Sequence, residues 1–282
     1  MCEEETNTLD RVMNFAFNLR KFEITWLPRW LEPLSRAGWF DTVLYRVKSG
    51  KEAMVYCCEA NPSTGLDLLA AKVYLPPRSR SSKYYGEYNI GRDLLDEYGQ
   101  PRRGKRRTSN RRKKRTRDEK HHLDEISWLQ HEYQTQCTVY DAGAKVPQPL
   151  AVNNNAVLMS YVGNHRQAAP TLQSLALNPL EAGDLFTQIL DQIALFLSLD
   201  RIHGDLSAYN ILVWNNDFSI IDFPQAINAQ THPRAFHFLH RDIDRVYRYF
   251  QKSGIEADAR KFARAMWHRY VNGQMQSDLV PG

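Results

Sequence analysis

The sequence predicts an α+β chain in two lobes: an antiparallel N-terminal sheet carrying one helix, then a mostly helical half. Three observations predict it. Short β-forming runs separated by Gly and Pro turns occupy residues 43–74. Apolar residues recur at helical spacing from Trp128, and most strongly over Asp184–Leu199, where Leu185, Ile189, Ile193 and Leu197 stand four apart. Between these regions the buried-strand pattern Ala156–Val162 ends at Gly163, so a cleft between the lobes is expected there. With 282 residues, 43% of them hydrophobic, the chain has ample material for a core, and disordered or fibrous classes are excluded.

In chain order, Leu9, Val12, Met13, Phe15, Ala16 and Leu19 give a helix over 9–19. Trp26, Trp30, Leu31, Leu34 and Trp39 give a second amphipathic helix packed on the strands after it. Strands are predicted at Val43–Lys48, Ala53–Glu59 and Leu68–Tyr74, with a hairpin at Ser49-Gly50 and a turn at Asn61–Gly65. Residues 76–127 read as a flexible segment, low in apolar residues and high in charge, with one short helical turn at Asp93–Tyr98. A helix then runs from Trp128 to about Tyr140. Ile211–Trp214 and Phe218–Ile221 form a hairpin, and Phe262, Met266, Trp267 and Tyr270 make one face of a C-terminal helix. The domain division is therefore a helical region at 1–39, a first lobe at 40–162 containing the flexible loop 76–127, and a second lobe at 163–282.

The net charge of +5 conceals an uneven distribution. Residues 101–120 hold 12 Lys/Arg and 2 Asp/Glu; the remainder holds 25 basic and 30 acidic residues. The body is slightly acidic and the basicity belongs to one segment. Contact with RNA is one reading of it and a solvated loop is the other. No aromatic residue lies in 101–120, so base stacking is not indicated. The four cysteines show no disulfide or zinc spacing, the N-terminus is polar and acidic, and no run reaches the ~18 apolar residues of a membrane span. A soluble cytoplasmic protein with no membrane partner is expected.

The chemistry concentrates in His203-Gly204-Asp205-Leu206-Ser207-Ala208-Tyr209-Asn210, followed at hairpin distance by Ile220-Ile221-Asp222-Phe223. Singly, Asp205 and Asn210 are turn formers and Asp222 ends a strand. Together they suit phosphoryl transfer, which needs metal on the phosphates and an oriented nucleophile. Asn210 and Asp222 are oxygen ligands of the kind Mg²⁺ takes, and Asp205 stands beside them to orient or deprotonate a hydroxyl. In the N-terminal half, Ser49, Gly50 and Lys51 form a hairpin tip whose backbone N–H groups suit phosphates, although neither a Walker loop nor G-x-G-x-x-G is present. Lys72 lies in a hydrophobic strand, where a lone charge is costly. Glu132 is its natural partner.

These motifs resemble the RIO-type atypical serine/threonine protein kinases, with a Rio1-like or bacterial type as the expected branch. The family's loop S-T-G-K-E-A-x-V-Y compares with residues 48–56, its W-x-x-x-E helix C with Trp128–Glu132, its D-L-S-x-Y-N with Asp205–Asn210, and its I-D-x-x-Q with Ile221–Gln225. His232-Pro233 and Phe238-Leu239-x-Arg241-Asp242 resemble its next segment. Lys48 and Gly204 depart from the family's usual Ser and Ala. The resemblance spans about Leu34 to Val246. It implies a two-lobed kinase-like fold that uses ATP with Mg²⁺ or Mn²⁺. Asp205 would be the base, Asn210 and Asp222 the metal ligands, the Lys72–Glu132 pair the phosphate anchor, and Ser160 and Val162 the hinge toward adenine. It also implies an alternative, an ATPase switch with an aspartyl-phosphate at Asp222 that acts on a ribosomal or ribonucleoprotein particle. A small-molecule kinase of the aminoglycoside or choline type shares H-G-D-x4-N and I-D-F, but Ser207, the S-G-K-E-A loop and Gln225 argue against it. Protein substrate and RNA partner are left open by the sequence.

Overall fold

The computed structural model describes residues 28–50, 52–75, 85–102 and 117–275. The expected helix over 9–19, Trp26, Lys51 and residues 103–116 of the basic run lie outside these residues. The first lobe holds a five-stranded antiparallel sheet in the order β1-β2-β3-β5-β4, formed by β1 (Phe40–Ser49), β2 (Ala53–Ala60), β3 (Leu68–Tyr74), β4 (Pro149–Val152) and β5 (Ala156–Ser160). Alternation along β3 decides what each face carries. Leu69, Ala71 and Val73 pack with Leu31 and Leu34 of α1 (Pro28–Arg36) on the outer face. Ala70 and Tyr74 pack with Trp128 and Leu129 on the other face. Lys72 shares the parity of Ala70 and Tyr74, so the pleat turns it inward.

The helix on that inner face, α3, runs from Arg117 to Asp141 and begins eleven residues before the expected start at Trp128. The extra turns contain Arg, Glu and Lys, which favour helix without marking an apolar face. The described part of the supposed flexible loop is ordered. Helix α2 (Tyr85–Tyr88) puts the Tyr88 ring in the second-lobe core, 5% exposed and 5.2 Å from the Phe238 ring. The predicted helical turn at Asp93–Tyr98 is instead a tight loop closed by a Leu95–Pro101 bridge. There the Asp96 carboxylate accepts from the N–H groups of Tyr98 and Gln100. Polar anchors hold this stretch to α3: Gln130 donates to Glu97 O at 2.9 Å, Gln134 to Gly99 O at 2.7 Å, and the Leu95 N–H donates to Ser127 Oγ at 2.9 Å. Hydrophobic patterning does not register such bonds.

Strand β4, absent from the sequence reading, is a four-residue edge strand opening on Pro149, where a missing N–H is tolerated. Strand β5 stops at Ser160, two residues short of the expected Val162. The second lobe is built on α4 (Pro179–Ser198), whose N-terminus carries a reciprocal capping box between Asn178 and Glu181. Its apolar face, including Phe186, Ile189, Ile193 and Phe196, joins one core with α5 (Ala235–Phe250) and α6 (Ala259–Val271). Two small ribbons complete it: β6 (Arg201–Ile202) with β9 (Ile227–Asn228), and β7 (Ile211–Trp214) with β8 (Asp217–Ile220). Asn215 and Asn216 turn the second ribbon with φ of 50° and 60°, as a two-residue hairpin loop requires.

Candidate active site

A cleft of about 720 Å³ separates the lobes. Its roof comes from β1–β3, its back from β5 and the chain leading to Gly163, and its floor from residues 205–225 and α5. Lys72 Nζ lies 2.6 Å from Glu132 Oε1 on α3 and 2.5 Å from Asp222 Oδ1 on the floor. One ammonium thus joins sheet, helix and second lobe. The Tyr74 hydroxyl donates to the other Glu132 oxygen, and the Tyr74 ring lies edge-on to Trp128 at 4.7 Å. Glu132 is 2% exposed. Burial raises its carboxyl above the ordinary range, and Lys72 and Tyr74 limit that rise. Burial would lower Lys72, but the two carboxylates outweigh it and hold the ammonium charged. For Asp222, burial raises and Lys72 lowers; the net is a carboxyl held below its usual value, hence ionised.

The floor is held from beneath. His203 is 2% exposed and neutral, since burial lowers its basicity. Its Nε2 lies 3.0 Å from Ile221 O, and its Nδ1 accepts the Asp205 N–H at 3.3 Å. Both bonds are satisfied only by the tautomer protonated at Nε2. Asp242, on α5 and 1% exposed, accepts the N–H groups of Gly204 at 2.7 Å and Leu206 at 3.1 Å, fixing the backbone on both sides of Asp205. Burial raises its carboxyl to about 7, against those N–H groups and Arg241. Gly204 has φ +80°, and a Cβ there would meet Gln225 O at 2.3 Å. Glycine is therefore required by the geometry at this departure from the expected motif.

Asn210 Nδ2 donates to Asp205 O at 3.0 Å, which leaves its amide oxygen for another partner. Asp222 adopts φ 77°. This left-handed residue lets its carboxylate enter the cleft while Phe223 stays in the core, 2% exposed, against His203 and Phe196. Arg245 of α5 forms an ion pair with the Asp205 carboxylate. Arg241, four residues earlier, donates to Gly204 O and to the Tyr88 hydroxyl. Arg92 donates to the carbonyls of Pro224 and Ala226, tying the 85–102 stretch to the loop after Asp222.

The structure brings Gly50, Lys72, Glu132, Ser160, Val162, Asp205, Asn210 and Asp222 to one cleft. Ser49 is the last residue of β1, paired with Met54, and is not among the lining residues; Lys51 is outside the described residues. Ser160 Oγ accepts the Gln148 N–H at 2.8 Å, so its side chain closes the β4 approach. Sequence reading missed Arg245, Tyr88 and Tyr74 as cleft residues. Parity with Lys72 on β3 was the available signal for Tyr74, and four-residue spacing from Arg241 was the signal for Arg245.

The family model of the RIO domain matches residues 93–262. The RIO-type serine/threonine-protein kinase Rio1 of Thermoplasma acidophilum is 33% identical over 134 residues, covering 48% of this chain and 69% of that protein. The Rio2 kinase of Methanocaldococcus jannaschii is 36% identical over 151 residues, covering 51% of this chain and 54% of that protein. A solved structure of the Chaetomium thermophilum Rio2 kinase, an ADP/Mg²⁺-phosphoaspartate complex, superposes with TM-score 0.56 at 19% identity, covering 88% of this chain and 75% of that chain. The two-lobed fold is thus shared with Rio2, and because the domain match takes in more than half of the chain, this chain belongs to the RIO-domain family.

Proposed function

We propose that the protein catalyses ATP- and Mg²⁺-dependent phosphoryl transfer as a RIO-type serine/threonine kinase. The observation that carries this is Lys72, held at 2.6 Å from Glu132 and 2.5 Å from Asp222 across one cleft that also contains Asp205 and Asn210. The residues suit the cofactors. Ala70, Met159, Leu212 and Ile221 are apolar walls of the cleft, fit for a flat base, with the Ser160–Val162 backbone as hinge. The free amide oxygen of Asn210 and the ionised Asp222 carboxylate, 41% exposed, form an oxygen donor set for Mg²⁺ or Mn²⁺. When bound, the metal neutralises phosphate charge. Lys72 binds phosphate oxygens, Gly50 at the hairpin tip covers them, and Asp205 orients the acceptor hydroxyl and takes its proton. We take residues 40–162 and 163–282 as the two lobes, a division supported by the packing of Leu31 and Leu34 of α1 on the first-lobe sheet.

A second reading is favoured by Asp222 itself, a charged carboxylate open to the cleft. In that reading Asp222 accepts the phosphoryl group and water releases it, giving an ATPase switch on a ribonucleoprotein particle. A phosphate-tracing assay with ATP and Mg²⁺ separates free phosphate, acid-labile aspartyl-phosphate and phosphoserine. We expect phosphoserine on an added protein acceptor, abolished in Asp205→Ala. Acid-labile phosphate lost in Asp222→Asn would assign the switch instead, and no turnover in the wild type would refute both.

Two further attributes accompany this reading. RNA contact through residues 101–120 is supported by their local charge. Neutralising them should lower RNA affinity and its salt dependence, and unchanged binding would refute it. A cytoplasmic setting is supported by free, buried Cys57 and Cys58, whose thiols burial pushes above their ordinary values. Among the described residues no helix is long and apolar enough to cross a membrane.

A further inference from the structure

The reacting end of the cleft has an uneven supply of positive charge. The segment His203–Leu212 contains no Lys or Arg. Lys72 is engaged between Glu132 and Asp222. Arg241 is engaged with Gly204 O and the Tyr88 hydroxyl, so it holds the floor in place. Arg245 differs from both. Asp205 is its one partner among the described residues, through Nη1 and a single carboxylate oxygen. A guanidinium has five N–H donors, so most of its donor capacity is unspent. Its side chain is 39% exposed, and it lines the same cavity as Asp205. The pair is therefore solvent-accessible, the kind of ion pair that is weakly held and easily exchanged.

Position fixes what such a group would meet. Arg245 is within one hydrogen bond of the carboxylate assigned as the base. It therefore borders the place of the acceptor hydroxyl. A planar fork in that place matches carboxylate or phosphate oxygens in a two-pronged arrangement. An anionic group beside the hydroxyl would engage Arg245 and release Asp205 to accept the proton. A neutral acceptor offers no such exchange and leaves the base paired.

We propose that Arg245 makes the acceptor side of the cleft selective for a serine or threonine flanked by a negatively charged side chain, acidic or already phosphorylated. This rests on Asp205 being the base of the proposed kinase reaction. The test compares two serine peptides, identical except that glutamate or phosphoserine replaces alanine at the positions flanking the target serine. The wild-type full chain is expected to favour the anionic peptide at least tenfold in kcat/KM. Arg245→Gln is expected to bring that ratio close to one, and Arg245→Lys to restore part of it, because an ammonium keeps the charge without the fork. A wild-type ratio near one, or a ratio unchanged in Arg245→Gln, overturns the proposal. Equal loss on both peptides also overturns it and assigns Arg245 to the transferring phosphoryl group. Undiminished transfer to both peptides by Asp205→Ala would refute the base assignment instead. Transfer to neither peptide by the wild type would remove the protein acceptor and this inference with it.

Discussion

Replacing Lys72 with Met tests the central geometry. The substitution keeps most of the side-chain volume and removes the ammonium from between two carboxylates. Their environments differ. Asp222 is 41% exposed and can recover water, whereas Glu132 is 2% exposed and keeps only the Tyr74 hydroxyl. Removing one partner of a buried ion pair costs about 3–5 kcal/mol, because the other charge is left in a poorly polarisable interior. Nearly all of that cost should therefore fall on Glu132, and it should depend on pH with a defined sign. Burial already raises the Glu132 carboxyl, and losing Lys72 raises it further. Between the ordinary carboxylate range and that raised value, the folded variant binds more protons than its unfolded chain, so its stability falls as pH rises. Urea unfolding followed by tryptophan fluorescence should show Lys72→Met destabilised by about 3–5 kcal/mol at pH 7.5 and by clearly less at pH 5.5. The double variant Lys72→Met/Glu132→Gln should recover about 1–3 kcal/mol at pH 7.5 through the coupling of neighbours. A loss below about 1 kcal/mol, or one equal at both pH values with no recovery in the double variant, would refute the buried-pair account.

Two further substitutions probe the floor. Gly204→Ala places a side chain at φ +80° with its Cβ 2.3 Å from a backbone oxygen; the conformation alone costs about 1–2 kcal/mol, and the clash must also displace Asp205. Unfolding and ATP turnover should both suffer, and a variant within about 0.5 kcal/mol of wild type with full turnover would contradict the geometry. Asp242→Asn replaces two acceptor oxygens with one, leaving the N–H of Gly204 or of Leu206 unpaired at a cost of about 1–3 kcal/mol. Because burial raises Asp242 to about 7, its contribution to stability declines as pH rises from the ordinary carboxylate range through that value. The Asn variant should lack this slope, and an unaltered pH profile would show that Asp242 titrates elsewhere.

The residues that meet around Lys72 were legible because chemistry on phosphates constrains residue type and spacing together. Asp205, Asn210 and Asp222 were read from one eight-residue motif and one hairpin, and Lys72 from the cost of a charge in an apolar strand. The errors have a shared cause. The start of α3 and the ordered stretch 85–102 are held by helix-favouring charged residues and by side-chain-to-backbone bonds from Ser127, Gln130 and Gln134. Neither produces apolar periodicity. Strand β4 escaped because four half-buried residues opening on a proline carry too little pattern to mark a strand. Arg245 escaped because an arginine on a helix is usually a solvated surface residue, and only the fold shows that this one points at Asp205.

The ion pairs of the cleft also bear on how it would engage ATP. Lys72 holds Asp222 and Arg245 holds Asp205, so both carboxylates of the proposed reaction are paired with cations of the same cleft. Under the proposed function each pairing would be exchanged rather than lost: Lys72 would give up Asp222 for a phosphate oxygen, Asp222 would be one of the residues to hold the metal, and Arg245 would give up Asp205 for an anionic acceptor. Glu132 keeps Lys72 in place throughout, because it lies on α3, outside the exchange, and is tied by Tyr74 as well. The buried pair is thus the fixed member of the set and the two half-exposed pairs are the exchangeable ones, as their exposures of 2%, 41% and 38% at the carboxylates require.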